Sequence, residues 1–402
     1  MDVSTSSPPP TRPGEVPARF GVLGLTSFGG PTAHLGYFRE EFVHRRRWLG
    51  DPAYADVVAL SQFLPGAGSS QVGMALGYHR GGWLGMLAAW LTFTLPSALI
   101  LLVFGLTLAG ADAATIAEAG WIQGLLAVAV AVVFHAVAGM ARTLAGTPPT
   151  ATIAVAAALT ALSVPAQFTH LAIILAAGVL GALLFRKRDD ADADDGQPDG
   201  IRPVSGRAAA LALGLFVIML VGLWAGARTV GGYFFTRAAA YFETGSLVFG
   251  GGHVVMPLLQ NYAVEGGWMN QETFLAGYSA AQAVPGPMFT FATYLGAVDG
   301  GVAGALLATV AIFSPSTLLM IAGLHFWGRW RHLPWLRAAF TGVNAAVVGL
   351  LLAAFWDPVL PHGVTGVASL TIAALCWLLL AMWKLPAWAV ALFGAVAGFL
   401  LL

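Results

Sequence analysis

Four short motifs combine glycine and proline with hydroxyl and amide side chains, and they are the part of the chain best suited to chemistry. They read FGGPTAHLGYFREE, SQFLPGAGSSQVGM, FGGGHVVMPLLQ and AAQAVPGPMFTF. Glycine lets the backbone be approached closely, and a helix that starts after a Gly or Pro break presents unpaired N–H donors and a positive dipole end. Such donors suit a tetrahedral oxyanion, which needs many hydrogen bonds around its four oxygens.

The candidate anion-binding residues are glycines, prolines, neutral donors and two arginines in or beside these motifs. They are Gly29, Gly30, Arg39, Gln62, Pro65, Gly66, Ser69, Ser70, Gln71, Arg80, Gly250, Gly251, His253, Gln282, Pro285, Gly286 and Thr290. The alternative is that Gly and Pro only permit kinks and close packing. Their occurrence as paired motifs at matching sites favours binding.

Two titratable residues beside the motifs are candidates for proton coupling, namely His34 and Glu243. A histidine titrates near neutral pH, and a carboxylate in an apolar segment can relay protons. The alternatives are a hydrogen-bonded packing histidine and an anchor at headgroup level. We find no catalytic motif or paired carboxylates inside a span, so a membrane enzyme is the weaker class. No cofactor or metal is predicted, and the single cysteine, Cys376, excludes an intrachain disulfide.

The composition places these motifs in a lipid bilayer. Apolar residues make up 58% of the 402 residues and charged residues 9%, whereas a soluble domain has about 25% charged residues. The formal net charge is zero, so no basic field attracts nucleic acid. In lipid every backbone group must be paired within the protein, which predicts an all-α integral membrane protein.

Nine apolar segments resemble membrane-spanning helices, although the third is short. They are Gly82–Leu108, Gly120–Ala141, Pro149–Val164, Phe168–Phe185, Ala208–Ala227, Gly301–His325, Leu336–Phe355, Gly363–Trp383 and Ala387–Leu402. Four more segments carry the motifs and are interrupted near their middles, which predicts broken or re-entrant helices. These segments are Phe20–Phe38, Tyr54–Tyr78, Tyr241–Tyr262 and Phe274–Tyr294.

The chain contains an internal duplication. Phe28-Gly29-Gly30 matches Phe249-Gly250-Gly251, Pro65-Gly66 matches Pro285-Gly286, and the offset stays between 219 and 221 residues. Trp48 and Trp268, and Pro96-Ser97 and Pro315-Ser316, follow the same offset. An ordered series at a nearly constant offset indicates two homologous halves.

The placement of charge predicts that the halves are inverted relative to each other. Cytoplasmic loops are enriched in Lys and Arg. The first half carries the cluster Arg45–Arg47, whereas the second has no Lys or Arg between Arg237 and Arg329. Treating the interrupted pairs as re-entrant places nearly all basic loops on the cytoplasmic side, with Arg228 and Arg237 as exceptions. Inverted repeats with broken helices are typical of transporters whose substrate site lies between the halves.

We therefore divide the chain into five regions. They are a disordered cytoplasmic leader at 1–19, a first repeat at 20–185, a charged cytoplasmic linker at 186–207, a connecting transmembrane helix at 208–235 and an inverted second repeat at 236–402. The leader is polar and Pro-rich and has no apolar core typical of a signal peptide.

The motifs FGGPTAHLGYFREEFV, QFLPGAGSSQVGMALGYHRGG and FTLPSA, followed by FGGGHVVMPLLQ and GYSAAQAVPGPMFTFATYLGA, resemble the long-chain, two-domain members of the chromate ion transporter (CHR) family. The resemblance extends from about Phe20 to the C-terminus. It implies efflux of chromate, or of sulfate as its analogue, across the bacterial inner membrane, with dependence on the proton motive force. One departure is Ala67, where the second half has Pro287.

Three function classes remain open. They are a secondary transporter that exports chromate, a passive oxyanion channel on the same scaffold, and a membrane-embedded enzyme. We expect the oxyanion and the lipid bilayer as partners of the protein, and a homodimer stays open beside a monomer. At the Pro-Gly turns we expect Gly66→Val or Gly286→Val to remove transport and Gly→Ala to be milder, while the same changes at Gly178 or Gly398 mostly spare it.

The inversion predicts which loops can be labelled from outside the cell. A cysteine in place of Glu265 should react with an impermeant thiol reagent, whereas one in place of Arg46 should not, because the two lie on opposite faces. Labelling intact cells that carry each variant measures this. Equal reaction of the two cysteines would contradict the inversion.

Overall fold

The computed structural model describes residues 14–27, 30–109, 119–164, 169–185, 201–248, 255–330 and 333–402, and within these ranges all regular structure is helical. The helices of the first repeat are α1 (Glu15–Thr26), α2 (Gly30–Phe38, continued by a π-helical stretch Arg39–Arg45), α3 (Asp51–Phe63), α4 (Gly68–Ala109), α5 (Gly120–Leu144), α6 (Pro148–Ser163) and α7 (Thr169–Leu184). Helix α8 (Gly206–Thr229) connects the repeats.

The helices of the second repeat follow in the same order. They are α9 (Gly232–Leu247), α10 (Val255–Gln260, continued by a π-helical stretch Asn261–Glu265), α11 (Gln271–Ala283), a 3₁₀ turn Met288–Thr290, α12 (Phe291–Trp330), α13 (Pro334–Ala354, continued by a π-helical stretch Phe355–Val359), α14 (Leu360–Gly363), α15 (Val367–Ala381) and α16 (Ala387–Leu401).

Apolar helices of spanning length occur where the hydropathy predicts them. In the described ranges five helices are long and apolar enough to cross a membrane, and four shorter apolar helices accompany them. The nine predicted spans coincide with these nine helices to within a few residues, except that two of the long helices begin earlier than predicted. The all-α fold class is therefore confirmed.

The first interrupted segment forms a re-entrant hairpin. At about 1.5 Å per residue the 12 residues of α1 reach ~18 Å, which is short of the roughly 30 Å hydrocarbon core. The chain then returns along α2 to the start of α1. Two contacts show this: the Trp48 indole N–H donates to Glu15 Oε1 at 3.1 Å, and Phe42 stacks on both Phe20 and Trp48. Helix α1 begins at Glu15, so the predicted leader is too long by five residues; residues 1–13 lie outside the described ranges.

The second interrupted segment forms another hairpin beside the first. Helix α3 leads to Pro65-Gly66, and α4 returns until the His79 Nε2–H donates to the Trp48 carbonyl at 3.0 Å. At Gly81-Gly82 the direction reverses again, since Gly82 has φ +63° and ψ −151° and a Cβ on Gly77 would meet Ala89 at 2.6 Å. Gly301 repeats this geometry with φ +62° and ψ −151°.

The remainder of α4 crosses the molecule and shows that the hairpins of the two repeats enter from opposite sides. Beyond the reversal, Gly105 reaches Tyr294 and Ala297 near the corresponding reversal of α12, where a Cβ on Gly105 would lie 2.7 Å from Ala297. In the opposite direction, the end of α12 reaches α3, with Trp327 Nε1 3.5 Å from Asp56 Oδ1. We call the side that holds Glu15, Trp48 and Arg80 the first face and the other the second face. The halves are inverted-topology repeats.

The C-terminal helices of each repeat pack against the other repeat. Helix α5 contacts α15 and α16, whereas α13 contacts α6 and α7. Glycines permit the close approach: a Cβ on Gly120 would lie 2.7 Å from the Gly398 carbonyl, and one on Gly181 would lie 2.8 Å from Gly342 N. The two repeats are separate in sequence but interlocked in space.

The described end of the linker, 201–205, also contacts both repeats. The Arg202 N–H donates to His79 Nδ1 at 3.1 Å, and His325 Nδ1–H donates to the Val204 carbonyl at 2.8 Å. Val204 is buried. Residues 186–200 of the predicted linker lie outside the described ranges, and α8 begins at Gly206 rather than at 208.

Among the described residues, each face carries an ion pair that is largely shielded from solvent, and the order of its charges along the chain differs between the repeats. On the first face Arg80 of α4 pairs with Glu15 of α1 at 2.9 Å and lies over the Trp48 ring. On the second face the order of the two charges along the chain is reversed: Asp299 matches Arg80, and Arg237 lies one position after Thr236, the match of Glu15. There Asp299, just before the reversal of α12, holds the Arg237 guanidinium through two hydrogen bonds of 2.6 and 3.0 Å, and Arg237 lies over Trp268 at 4.0 Å.

This exchange predicts that the first pair tolerates reversal better than neutralisation. Glu15→Gln removes the carboxylate from a guanidinium that is 5% exposed and should destabilise the protein by about 3–5 kcal/mol. The double variant Glu15→Arg with Arg80→Glu has the same order of charges as the second face, so it should regain part of that loss. Thermal unfolding of the purified protein measures both variants. A double variant no more stable than Glu15→Arg alone would contradict this coupling.

Candidate functional site

The tips of the hairpins meet in the middle of the molecule, and each pairs with a tip of the other repeat. The Gly66 N–H donates to the Val248 carbonyl at 2.7 Å, and the Gly286 N–H donates to the Ser27 carbonyl at 3.0 Å. Ser27 and Val248 directly precede the two FGG motifs. The contacts are reciprocal, as in an isologous interface. We call this region the tip crossing: Ser27, Val248, the turns 65–67 and 285–287, and the α4 and α12 residues that pack on them.

Glycine is required at both turns of the tip crossing. Gly66 has φ +125° and Gly286 has φ +104°, in the region that L-residues rarely adopt. A Cβ on Gly66 would collide with Ser316, and one on Gly286 would lie 2.9 Å from Ser97 Oγ. The glycines therefore let each turn rest on the Pro-Ser pair of the opposite repeat.

The departure at Ala67 has a structural reason. The Ala67 N–H donates to Ser316 Oγ at 2.8 Å. Its counterpart, Pro287, has no N–H to donate, and the equivalent Ser97 hydroxyl donates to the Thr94 carbonyl at 3.0 Å instead. The residue that differs from the second half thus adds a hydrogen bond between the repeats.

Several polar groups around the tip crossing are buried without a protein partner. Among the described residues these are Ser27 Oγ, Ser70 Oγ, Gln71 Oε1 and Thr94 Oγ1. The amide nitrogen of Gln71 is used, since it donates to the Pro65 carbonyl at 2.9 Å. A buried polar group left unpaired costs about 1–3 kcal/mol. Ser70 lies in the first turn of α4, and Ser27 and Thr94 lie in other segments near the crossing, so unused hydroxyl donors suited to an anion occur in this region.

His34 connects these elements and has a defined tautomer. Its Nε2 lies 3.1 Å from the Ser27 carbonyl, which can only accept, so Nε2 carries the proton. Its Nδ1 then accepts from the Ser69 hydroxyl at 3.2 Å. The ring is fully buried and meets Phe93 edge-on. The Ser69 proton is therefore committed to His34 while the imidazole is neutral.

The two arginines predicted for the site do not join the tip crossing. Arg39 is half exposed and pairs with Asp51 at 2.8 Å. Arg80 lies at the first face in the pair with Glu15. Neither contributes a described contact to the residues of the crossing.

The remaining predicted residues are divided between the crossing and its surroundings. Thr290 is fully buried and donates to the Pro287 carbonyl at 2.7 Å. Gln282 contacts Met288 Sδ, Gln62 is exposed, and Glu243 bonds to Tyr262 in a cavity toward the second face. The positions that lie outside the described residues are Gly29, Gly250, Gly251 and His253.

Sequence reasoning missed four residues of the crossing. Ser27, Thr94, Ser97 and Ser316 were not among the candidates, although three of them are fully buried and the fourth nearly so. A signal was present for two of them, since Pro96-Ser97 and Pro315-Ser316 match between the halves. The repeat identified these positions, but only the fold shows that they support the opposite turn.

The geometry changes which glycine substitutions are informative. Gly66→Ala already places a methyl against Ser316 at a positive φ, so it should destabilise the protein by roughly 1–3 kcal/mol rather than being mild. Gly398, predicted to tolerate change, would meet Gly124 Cα at 2.5 Å and is a poor control. Gly222 in α8 has nothing within 4 Å, so Gly222→Ala should be neutral. Thermal unfolding of both variants measures this, and equal stability would contradict a close-packed crossing.

Comparison with known proteins identifies the family. A sequence model of the family described as Chromate transporter matches residues 15–182 and 235–399, one region in each repeat. A chromate transport protein of Pseudomonas aeruginosa is 29% identical over 87% of this chain and 82% of its own length.

Two other relatives are similar over comparable lengths. A chromate transport protein of Cupriavidus metallidurans is 27% identical over 83% of this chain and 79% of its own. An uncharacterized transporter of Methanocaldococcus jannaschii is 26% identical over 82% and 80%. No solved structure matches. With both repeats matched, the chain belongs to the chromate transporter family and is a multi-pass membrane protein.

Proposed function

We propose that this protein is a secondary transporter that exports chromate, or a sulfate-like oxyanion, across the bacterial inner membrane. The anion is held at the tip crossing, between the Pro-Gly turns and the FGG breaks. The N-terminus and the first face are cytoplasmic. The similarity to chromate transport proteins over most of the chain supports the substrate class.

The observation that carries the proposal is the reciprocal pairing of hairpin tips beside unused buried hydroxyls. A dianion that leaves water loses a large hydration energy, which several donors must replace together. Ser27, Ser70 and Thr94 offer hydroxyls without a partner in the described part of the chain, and the first turn of α4 adds backbone N–H groups. The site lies between inverted repeats, where alternating exposure to the two faces requires only that one repeat move against the other.

The membrane potential favours export of such an ion. A charge that crosses a potential of 100 mV gains or loses about 2.3 kcal/mol, so a dianion leaving a negative interior gains about 4–5 kcal/mol. The electrical part of the proton motive force is therefore sufficient to drive efflux.

His34 provides a route for proton coupling. Protonation of Nδ1 would turn the Ser69 hydroxyl from donor to acceptor at that bond, so that its proton becomes free for the anion. It also places a positive charge at the crossing. A proton on His34 would thus travel with the anion, and flux should rise when the side that supplies the anion is acidified. In the cell this proton moves outward against the proton gradient, so the membrane potential acting on the remaining net charge of −1 drives export.

A passive oxyanion channel on the same scaffold is the alternative. Burial argues against a permanently open pore, because Ser97, Ser316 and Thr290 at the crossing are fully buried. An enzyme is the weaker alternative still, since the family consists of transporters.

Chromate flux into proteoliposomes tests the proposal. At zero membrane potential, acidifying the side that supplies chromate should raise its concentration on the other side above that of the supply. His34→Asn should abolish this effect of pH while leaving part of the flux that the membrane potential drives. Ser246→Ala serves as a control, because the Ser246 hydroxyl donates to the Phe242 carbonyl of its own helix. Flux that never saturates and ignores the pH gradient would indicate a channel instead.

A further inference from the structure

A cavity of about 560 Å³ opens toward the second face between α8, α9 and helix α10 with its π-helical continuation. Its wall includes Trp224, Arg228, Glu243, Thr244, Tyr262 and Trp268. We call it the outer cavity. Its wall combines an exposed arginine, Arg228, with a buried threonine, Thr244.

The deep end of the outer cavity approaches the tip crossing. Thr244 lines the cavity, is 1% exposed and has a hydroxyl without a partner among the described residues. It lies one helical turn before Val248, whose carbonyl accepts the Gly66 N–H. A buried hydroxyl without a partner among the described residues therefore belongs to a residue of the cavity wall, next to the proposed anion site.

Arg228 stands at the mouth without a carboxylate partner. In the described part of the chain no Asp or Glu lies within ion-pair distance of it, and its guanidinium lies over the Trp224 ring at 4.1 Å. Arg237, the other arginine that violates the charge bias, is neutralised by Asp299. The bias makes an arginine on this face unfavourable, so the unpaired Arg228 calls for a functional reason.

The first repeat contains the corresponding cavity, of about 380 Å³. Its lining residues Val22, Leu23 and Glu41 stand 221 positions before Glu243, Thr244 and Tyr262. The inverted repeat thus produces a cavity toward each face.

The two cavities differ in charge. The charged residues that line the first-repeat cavity pair with each other: Arg45 with Glu40 and Arg46 with Glu41, both at 3.0 Å. At the matching positions the second repeat has Asn261 and Tyr262, which cannot form such pairs. The cation of the outer cavity therefore remains available to a ligand.

We propose that the outer cavity is a binding vestibule for a tetrahedral oxyanion on its way between the tip crossing and the second face. Arg228 holds the anion at the mouth, and the Thr244 hydroxyl receives it beside the crossing. This inference rests on the proposed transport function. The carboxylates of Glu243 and Glu265, which both line the cavity, oppose the anion when they are ionised, so Glu243→Gln should tighten binding.

Protection of an introduced cysteine tests the vestibule directly. Ala239 lines the cavity, and the one native cysteine is buried, so Ala239→Cys should react with an impermeant thiol reagent and be protected by chromate or sulfate. Ala18→Cys, at the matching position of the first repeat, should not react from the second face. Absence of protection while the protein still carries chromate flux would overturn the vestibule and leave the transport function standing. Protection without flux would support the vestibule and overturn transport.

Two substitutions test the assigned residues. Thr244→Val keeps the shape and breaks no hydrogen bond within the described structure, so folding should be unaffected while the oxyanion concentration for half protection rises about tenfold. Arg228→Gln should raise it by a similar factor, whereas Arg207→Gln, at the other end of α8, should not. If both cavity variants match wild type, the assignment is wrong.

A lipid phosphate is the other possible source of an oxyanion, and the lipid composition distinguishes it. Sulfate should protect the introduced thiol of the Ala239→Cys variant equally in vesicles of neutral phosphatidylcholine and in vesicles containing anionic lipid. Protection by anionic lipid alone, with no effect of dissolved sulfate or chromate, would overturn the proposal.

Discussion

The architecture depends on two backbone hydrogen bonds that join the hairpin tips of opposite repeats. The Gly66 N–H to Val248 carbonyl bond and the Gly286 N–H to Ser27 carbonyl bond are equivalent under the internal duplication. Each satisfies polar groups at a helix break, which lipid could not pair and which are costly to leave unpaired. Because each break is completed by the other repeat, the two halves must assemble around this point.

The positive φ angles of both glycines and the burial of Ser97 and Ser316 follow from that pairing. The turns approach the opposite long helix so closely that no side chain fits between them. The interlocking of α5 with α15 and α16, and of α13 with α6 and α7, joins the two repeats by further contacts.

The repeats differ in where they place charged and titratable side chains. The ion pairs Arg80–Glu15 and Arg237–Asp299 carry their charges in opposite order along the chain. Counted from the FGG motifs, Val255 matches His34 and Val22 matches Glu243, and neither valine is titratable. The backbone geometry of the breaks is therefore repeated, whereas these two titratable side chains are not.

The sequence by itself determined the class of fold, the duplication, the inversion and the positions of the helix breaks. Hydropathy, Gly and Pro positions and the distribution of arginine are local properties, and the bilayer acts on them directly. Only the tertiary structure decided that Gly66 rests on Ser316, that Arg80 is buried in an ion pair while Arg39 is exposed, and that the terminal helices exchange partners. The physical reason is that an apolar side chain has the same hydropathy whether it faces lipid or another helix. The choice of partner therefore depends on shape and backbone approach, which are properties of the assembled chain.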